Sequence, residues 1–87
     1  MPENENSLST RQRLEEYLLA RNGYYEAKKE FTEIAPRLFA AAREELALSQ
    51  AEIAERLDVD NTYISKIERG KTRPSEKIIE DLVALLT

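Results

Sequence analysis

Residues 48–74 read LSQAEIAERLDVDNTYISKIERGKTRP, and their pattern decides the fold. Ser49 stands three residues before Glu52. In such a capping box the serine hydroxyl accepts the third helical amide, and the carboxylate reaches back to the serine amide. Ile53, Ala54 and Leu57 then recur at helical spacing, while Glu52, Glu55 and Arg56 fall outside. Asp58-Val59-Asp60-Asn61 links this short helix to a second one. Asp58 tolerates a left-handed backbone, and Asp60 or Asn61 can cap the helix that follows. Val59, Ile64 and Ile67 then face inward. Asn61, Thr62, Tyr63, Ser65, Lys66 and Arg69 face outward, and Gly70 supplies a left-handed stop. Two short helices joined by so tight a link read as a helix-turn-helix, whose second helix enters the major groove of double-stranded DNA.

The outward residues have the chemistry that base reading needs. Asn bonds adenine bidentately, Lys bonds guanine, and a Thr methyl meets the thymine methyl. Recognition helices make base contacts with their N-terminal part, so Asn61, Thr62 and Lys66 lead, with Tyr63 and Ser65 beside them. Arg69, Lys71 and Arg73 surround the helix end and can pair phosphates. Ser49, Gln50 and the amides at the start of the first helix can do the same. Each residue taken alone is also an ordinary solvated surface group. It is the arrangement that points to DNA.

With those residues in view, the stretch resembles the lambda-repressor-like helix-turn-helix domains, often called the xenobiotic-response-element family. The matching pieces are Leu48-Ser49-Gln50, Ile53-Ala54-Glu55, Val59, Tyr63-Ile64-Ser65, Ile67-Glu68-Arg69-Gly70-Lys71 and Pro74-Ser75. The resemblance covers roughly Arg37 to Leu86. It implies an all-α DNA-binding domain that works as a homodimer on an inverted repeat. It also implies a structural ion pair between Arg43, on the domain's first helix, and Glu68. Two positions depart from the pattern, because Ala47 and Asp58 stand where the family often has Gly. The sequence stops at Thr87, after the fourth helix of that pattern, so a dimer interface built from the fifth helix that many members carry is not assumed.

Composition narrows the remaining choices. Eighty-seven residues suit one domain with a modest core. With no Cys and no His, the chain lacks disulfides, thiol nucleophiles and the commonest metal ligand and general base. No cofactor or metal is expected, and an enzyme is the weakest class. Adjacent acids such as Glu44 and Glu45 diverge by about 100° on a helix and read as solvated. No apolar run can span a membrane, and MPENENSLST is not a signal peptide, which reads as a cytoplasmic protein. The net charge is −4, yet Asn61–Ser75 holds four basic residues against one acid. A small basic face on an acidic body suits a binder that depends on specific contacts.

The domain is expected over residues 36–87, with Leu38, Phe39, Ala42 and Leu46 on its first helix. Pro74-Ser75 opens the last helix, whose wide apolar face holds Ile78, Ile79, Leu82, Val83, Leu85 and Leu86. Residues 1–35 form an N-terminal helical arm of one or two helices, with residues 1–7 a disordered tail. Ser9 and Gln12 form a second possible capping box, Leu14, Tyr17, Leu18 and Arg21 follow as a stripe, and Asn22-Gly23 ends it. A further helix starts at Tyr24 with Ala27, Phe31, Ile34 and Ala35 on one side and Glu26, Lys28, Lys29, Glu30 and Glu33 mostly on the other. Pro36 either kinks that helix or starts a new one. The arm caps the core, dimerises or binds a partner protein, with Tyr17, Tyr24, Tyr25 and Phe31 as candidate contacts. It has a weaker resemblance to helix-turn-helix antitoxins of the host-inhibition-of-growth type. That resemblance implies an alternative function: neutralising a toxin through the N-terminal helices and autoregulating the operon.

Overall fold

The computed structural model describes residues 8–21 and 29–87. The tail 1–7, the Asn22-Gly23 stop, Tyr24, Tyr25 and Ala27 lie outside the described residues. Among the described residues the secondary structure is entirely helical: α1 (Thr10–Ala20), a wide-wound π segment (Glu30–Ile34), α2 (Ala35–Leu46), α3 (Gln50–Leu57), α4 (Asn61–Glu68) and α5 (Glu76–Leu85). The all-α bundle expected from the sequence is therefore what forms.

Four of these helices, α1, α3, α4 and α5, start where a side chain can take their free amides. Ser9 Oγ accepts from Gln12 N at 3.1 Å, and Gln12 Oε1 accepts from Ser9 N at 3.0 Å, which completes the first capping box. Ser49 and Glu52 close the second box at 3.1 and 2.8 Å. Asp60 accepts from Thr62 N at 2.7 Å, and Ser75 accepts from Ile78 N at 3.2 Å. Such caps each contribute about 1 kcal/mol.

Three helices end the same way. After α2, Ala47 N donates to Glu44 O and Leu48 N to Arg43 O. After α3, Asp58 N donates to Glu55 O and Val59 N to Ala54 O. After α4, Gly70 N donates to Ile67 O and Lys71 N to Lys66 O. This paired closure needs one left-handed residue. Ala47 (φ 59°), Asp58 (φ 60°) and Gly70 (φ 72°) supply it. Only at Gly70 is the residue also crowded, because a Cβ there would stand 2.9 Å from the Thr32 carbonyl oxygen.

Pro36 starts a helix, and the π segment resolves how. Pro36 has no amide to give the carbonyl of Thr32, four residues back. The backbone widens just before it, with Ala35 N–H bonding Glu30 O five residues away, and runs straight into α2.

One core holds these elements together. α1 packs on α2 and α5, α2 packs on α4, and α3 packs on both α4 and α5. Leu14 and Tyr17 share a cluster with Phe39, Ile53, Ile64, Ile67, Ile79 and Leu82. Tyr17 is only 1 % exposed, so its place is in this core and not on a partner-contacting face. Glu30, expected on the polar side of its helix, is also buried at 1 %. It is three residues after Ala27 and four before Ile34, and that spacing puts it on the apolar face.

The turn geometry yields opposite outcomes for two substitutions. Gly70→Ala loses at least about 1–2 kcal/mol from the left-handed backbone, before the clash with Thr32 is added. Ala47→Gly removes that same strain, offset by the freedom glycine has when unfolded, for a net gain of about 0.5–1 kcal/mol. Urea denaturation of both variants checks the signs.

Candidate nucleic-acid interface

The turn between α3 and α4 sets α4 with one side in the core and the other in solvent. Ile64 and Ile67 are fully buried, which pins one side of this two-turn helix. Asn61, Thr62, Lys66 and Arg69 are exposed on the other, and Ser65 is half-buried between them. Four of the six residues expected outward on α4 and at its end therefore reach solvent freely.

Tyr63 is placed differently from that expectation. It is half-buried against the core, and its hydroxyl accepts from Ser75 N at 3.1 Å. The ring thus braces the start of α5, and its burial outweighs an outward position. Gln50 also has a structural partner, because its Nε2 donates to Glu68 Oε1 at 3.0 Å. Ser49 is exposed, with its hydroxyl occupied by the cap.

The Glu68 carboxylate is the centre of this region. Arg43 Nε donates to Oε2 at 2.8 Å, and Arg43 Nη2 donates to Oε1 at 3.0 Å. A bidentate pair of this kind is both strong and directional. It raises the Arg43 pKa above its ordinary value, through the hydrogen bonds first and the charge of Glu68 after them. With Gln50 added, one carboxylate joins α2, α3 and α4. Glu68 is therefore a structural residue whose charge is already met.

The loop after α4 carries Lys71 and Arg73, both exposed. Arg73 Nε donates to Glu30 Oε1 at 2.5 Å. The Tyr17 hydroxyl donates to the other oxygen of the same carboxylate. Burial, and then this bond to Glu30, push the Tyr17 phenol well above its ordinary range, so it stays a neutral donor. Arg21 lies over the Tyr17 ring, 5.6 Å from its centroid, with Nε 4.0 Å from Glu30. Glu30 and Arg21 escaped the sequence reading as partners of this loop. The one local signal was the position of Glu30 on the apolar face.

The other expected contacts divide by position. Phe31 is half-buried, while Tyr24 and Tyr25 lie outside the described residues. On α1, Leu19 is the large hydrophobic side chain left open, at 87 % exposure. A cleft of about 150 Å³ lies between the turn and α5, lined by Leu57, Asp58, Val59, Ser75, Lys77 and Ile78. It is small beside the roughly 300–1,000 Å³ of small-molecule sites. No helix among the described residues is long and apolar enough to cross a membrane.

Comparison with family profiles matches residues 39–86 to a Helix-turn-helix family, the lambda-repressor-like group that includes the xenobiotic-response-element proteins. That segment is more than half of the chain and runs from mid-α2 to the end of α5. Comparison with curated proteins and with solved structures gives no match.

Two outcomes follow from the caps and the carboxylate node. The backbone amide of Ser49 holds the Glu52 pKa below its ordinary 4.5, and that of Thr62 holds Asp60 below its ordinary 3.8. A depressed folded pKa gives stability that is fully present above the ordinary value and is lost as pH falls through the folded one. Carrying Glu52→Gln and Asp60→Asn together keeps both acceptors and so flattens the acid side of a plot of denaturation midpoint against pH. Arg43→Lys breaks the fork geometry and costs about 1.5–3 kcal/mol in the same assay.

Proposed function

This chain belongs to the lambda-repressor-like helix-turn-helix family, and we propose that it is a repressor binding an inverted repeat as a homodimer. Membership makes it a DNA-binding transcriptional regulator. The observation that carries the finer reading is the two-sided α4. Its apolar side is locked into the core, and Asn61, Thr62, Lys66 and Arg69 stand exposed on the other.

In this reading α4 lies in the major groove. Asn61 and Thr62 occupy its first turn, where base edges come within reach, and Lys66 follows one turn later. Arg69, Lys71 and Arg73 meet phosphates at the C-terminal end, with Ser65 alongside. Ser49 and Gln50 stand at the start of α3, where helix amides face the backbone of DNA. The carboxylates of Asp60 and Glu68 do not act as contacts. The first caps Thr62 N and the second is held by Arg43, so both negative charges are engaged within the protein. Two copies related by a twofold axis would set their α4 helices about 34 Å apart, one turn of DNA. Occupying a promoter in this way blocks transcription.

Mobility-shift titration against the DNA upstream of the coding sequence, beside a random duplex, tests the reading. Asn61→Ala and Lys66→Ala each weaken the specific complex by about 1–3 kcal/mol and leave random-duplex binding nearly unchanged. Equal losses on both duplexes would remove these residues from base reading. A protein that ignores its own upstream DNA would move the assignment to partner binding by the N-terminal arm, the toxin-neutralising alternative.

A further inference from the structure

The hydroxyl of Tyr63 is used on one side only. Its ring packs against the core, and its oxygen accepts from Ser75 N at 3.1 Å in a bond that solvent reaches. A phenol can accept and donate at once. Among the described residues no group accepts the proton of the Tyr63 hydroxyl.

The place of Tyr63 on α4 gives that proton a direction. Successive residues turn by about 100° on a helix, so Lys66 lies about 40° round from Thr62 and Tyr63 about 100° round on the same side. Tyr63 thus stands between the exposed Lys66 and the buried Ile67, at one edge of the open side of α4. Asn61 is at the opposite edge. A helix seated in the major groove turns the middle of its open side to the base edges and its flanks to the sugar-phosphate strands that border the groove. Tyr63 is on such a flank, with the start of α5 beside it.

The hydroxyl is also held ready. Packing restrains the ring, and the Ser75 amide restrains the oxygen, so little freedom is left to lose on binding. Hydrogen bonds in a chain polarise one another, and a phenol that accepts from an amide donates more strongly for it.

We propose that Tyr63 is a contact to the DNA backbone: its hydroxyl donates to a phosphate oxygen while accepting from Ser75 N, so one phenol joins α4, the start of α5 and the DNA. This rests on the reading of α4 as the recognition helix. The contact carries no charge, which separates it from those of Arg69 and Lys71. It adds affinity for any sequence and displaces no counterion.

The test compares Tyr63→Phe with the unchanged chain by fluorescence anisotropy, on the duplex from upstream of the coding sequence and on a random duplex. Phenylalanine keeps the packed ring and removes a single solvent-exposed hydrogen bond, so the fold is retained. Binding is read at a temperature where circular dichroism shows both proteins fully helical. The variant loses about tenfold in affinity on both duplexes, with the slope of log K against log salt unchanged. Methylphosphonate is then placed at each backbone position of the upstream duplex in turn. The unchanged chain is weakened at every phosphate it contacts, and Tyr63→Phe gives the same map with the effect lost at one phosphate beside α4. A tyrosine that only braces α5 lowers the denaturation midpoint of the variant and leaves affinity and map as they were, which overturns the proposal. A loss confined to the upstream duplex, or a map weakened with no single phosphate silenced, overturns it as well. Lys66→Ala on the upstream duplex separates the two readings. If it weakens the specific complex while Tyr63→Phe is silent, only the phosphate contact fails. If it too is silent, the reading of α4 fails with it.

Discussion

The contact on which the rest depends is the Arg43–Glu68 pair. α4 has eight residues, and a helix that short is not stable alone in water. Its existence comes from Ile64 and Ile67, but two buried side chains leave it free to rotate about its contact. The bidentate pair removes that freedom by fixing the C-terminal end of α4 to the last turn of α2. Gln50 adds the start of α3 to the same carboxylate. Three helices thereby share one electrostatic reference point, partly buried where hydrogen bonds are stronger than in water.

A second carboxylate repeats the arrangement at the other end of the loop. Glu68, two residues before Gly70, is held by Arg43, and Arg73, three residues after it, is held by Glu30. The segment between them carries Arg69 and Lys71 in the open. This explains how a chain of net charge −4 can keep a basic face. Two acids beside that face, Glu68 and Glu30, are turned inward and hold arginines in place.

Most of the helix-turn-helix was legible because its signals are local. Ser49 with Glu52, Asp60, the left-handed Asp58 and Gly70 each act within four residues, a range that periodicity can read. The Arg43–Glu68 pair was reached only through family resemblance, since 25 residues separate its members. The Glu30–Arg73 pair spans 43 residues and had no such help. The rule that acids face solvent failed at Glu30 because its cost of burial is offset by Tyr17, Arg21 and Arg73 together. Tyr63 misled for a related reason: its amphipathic side chain suits a surface and a core alike, and the free amide of Ser75 settled the choice. Pro36 left two alternatives open, and the structure has it in the first turn of α2, directly after the widened backbone.

The turn between α3 and α4 has one more consequence. Asp58 and Val59 spend their amides closing α3, and Asp60 spends its side chain opening α4. No residue in the link is spare. One inserted residue would swing the exposed side of α4 by about 100° about its axis, and no neighbouring bond could absorb it. The aim of the helix is thus set by chain length, and the identity of its exposed side chains can vary beneath a fixed geometry. A scaffold of this kind changes its preferences by exchanging letters, never by lengthening the phrase.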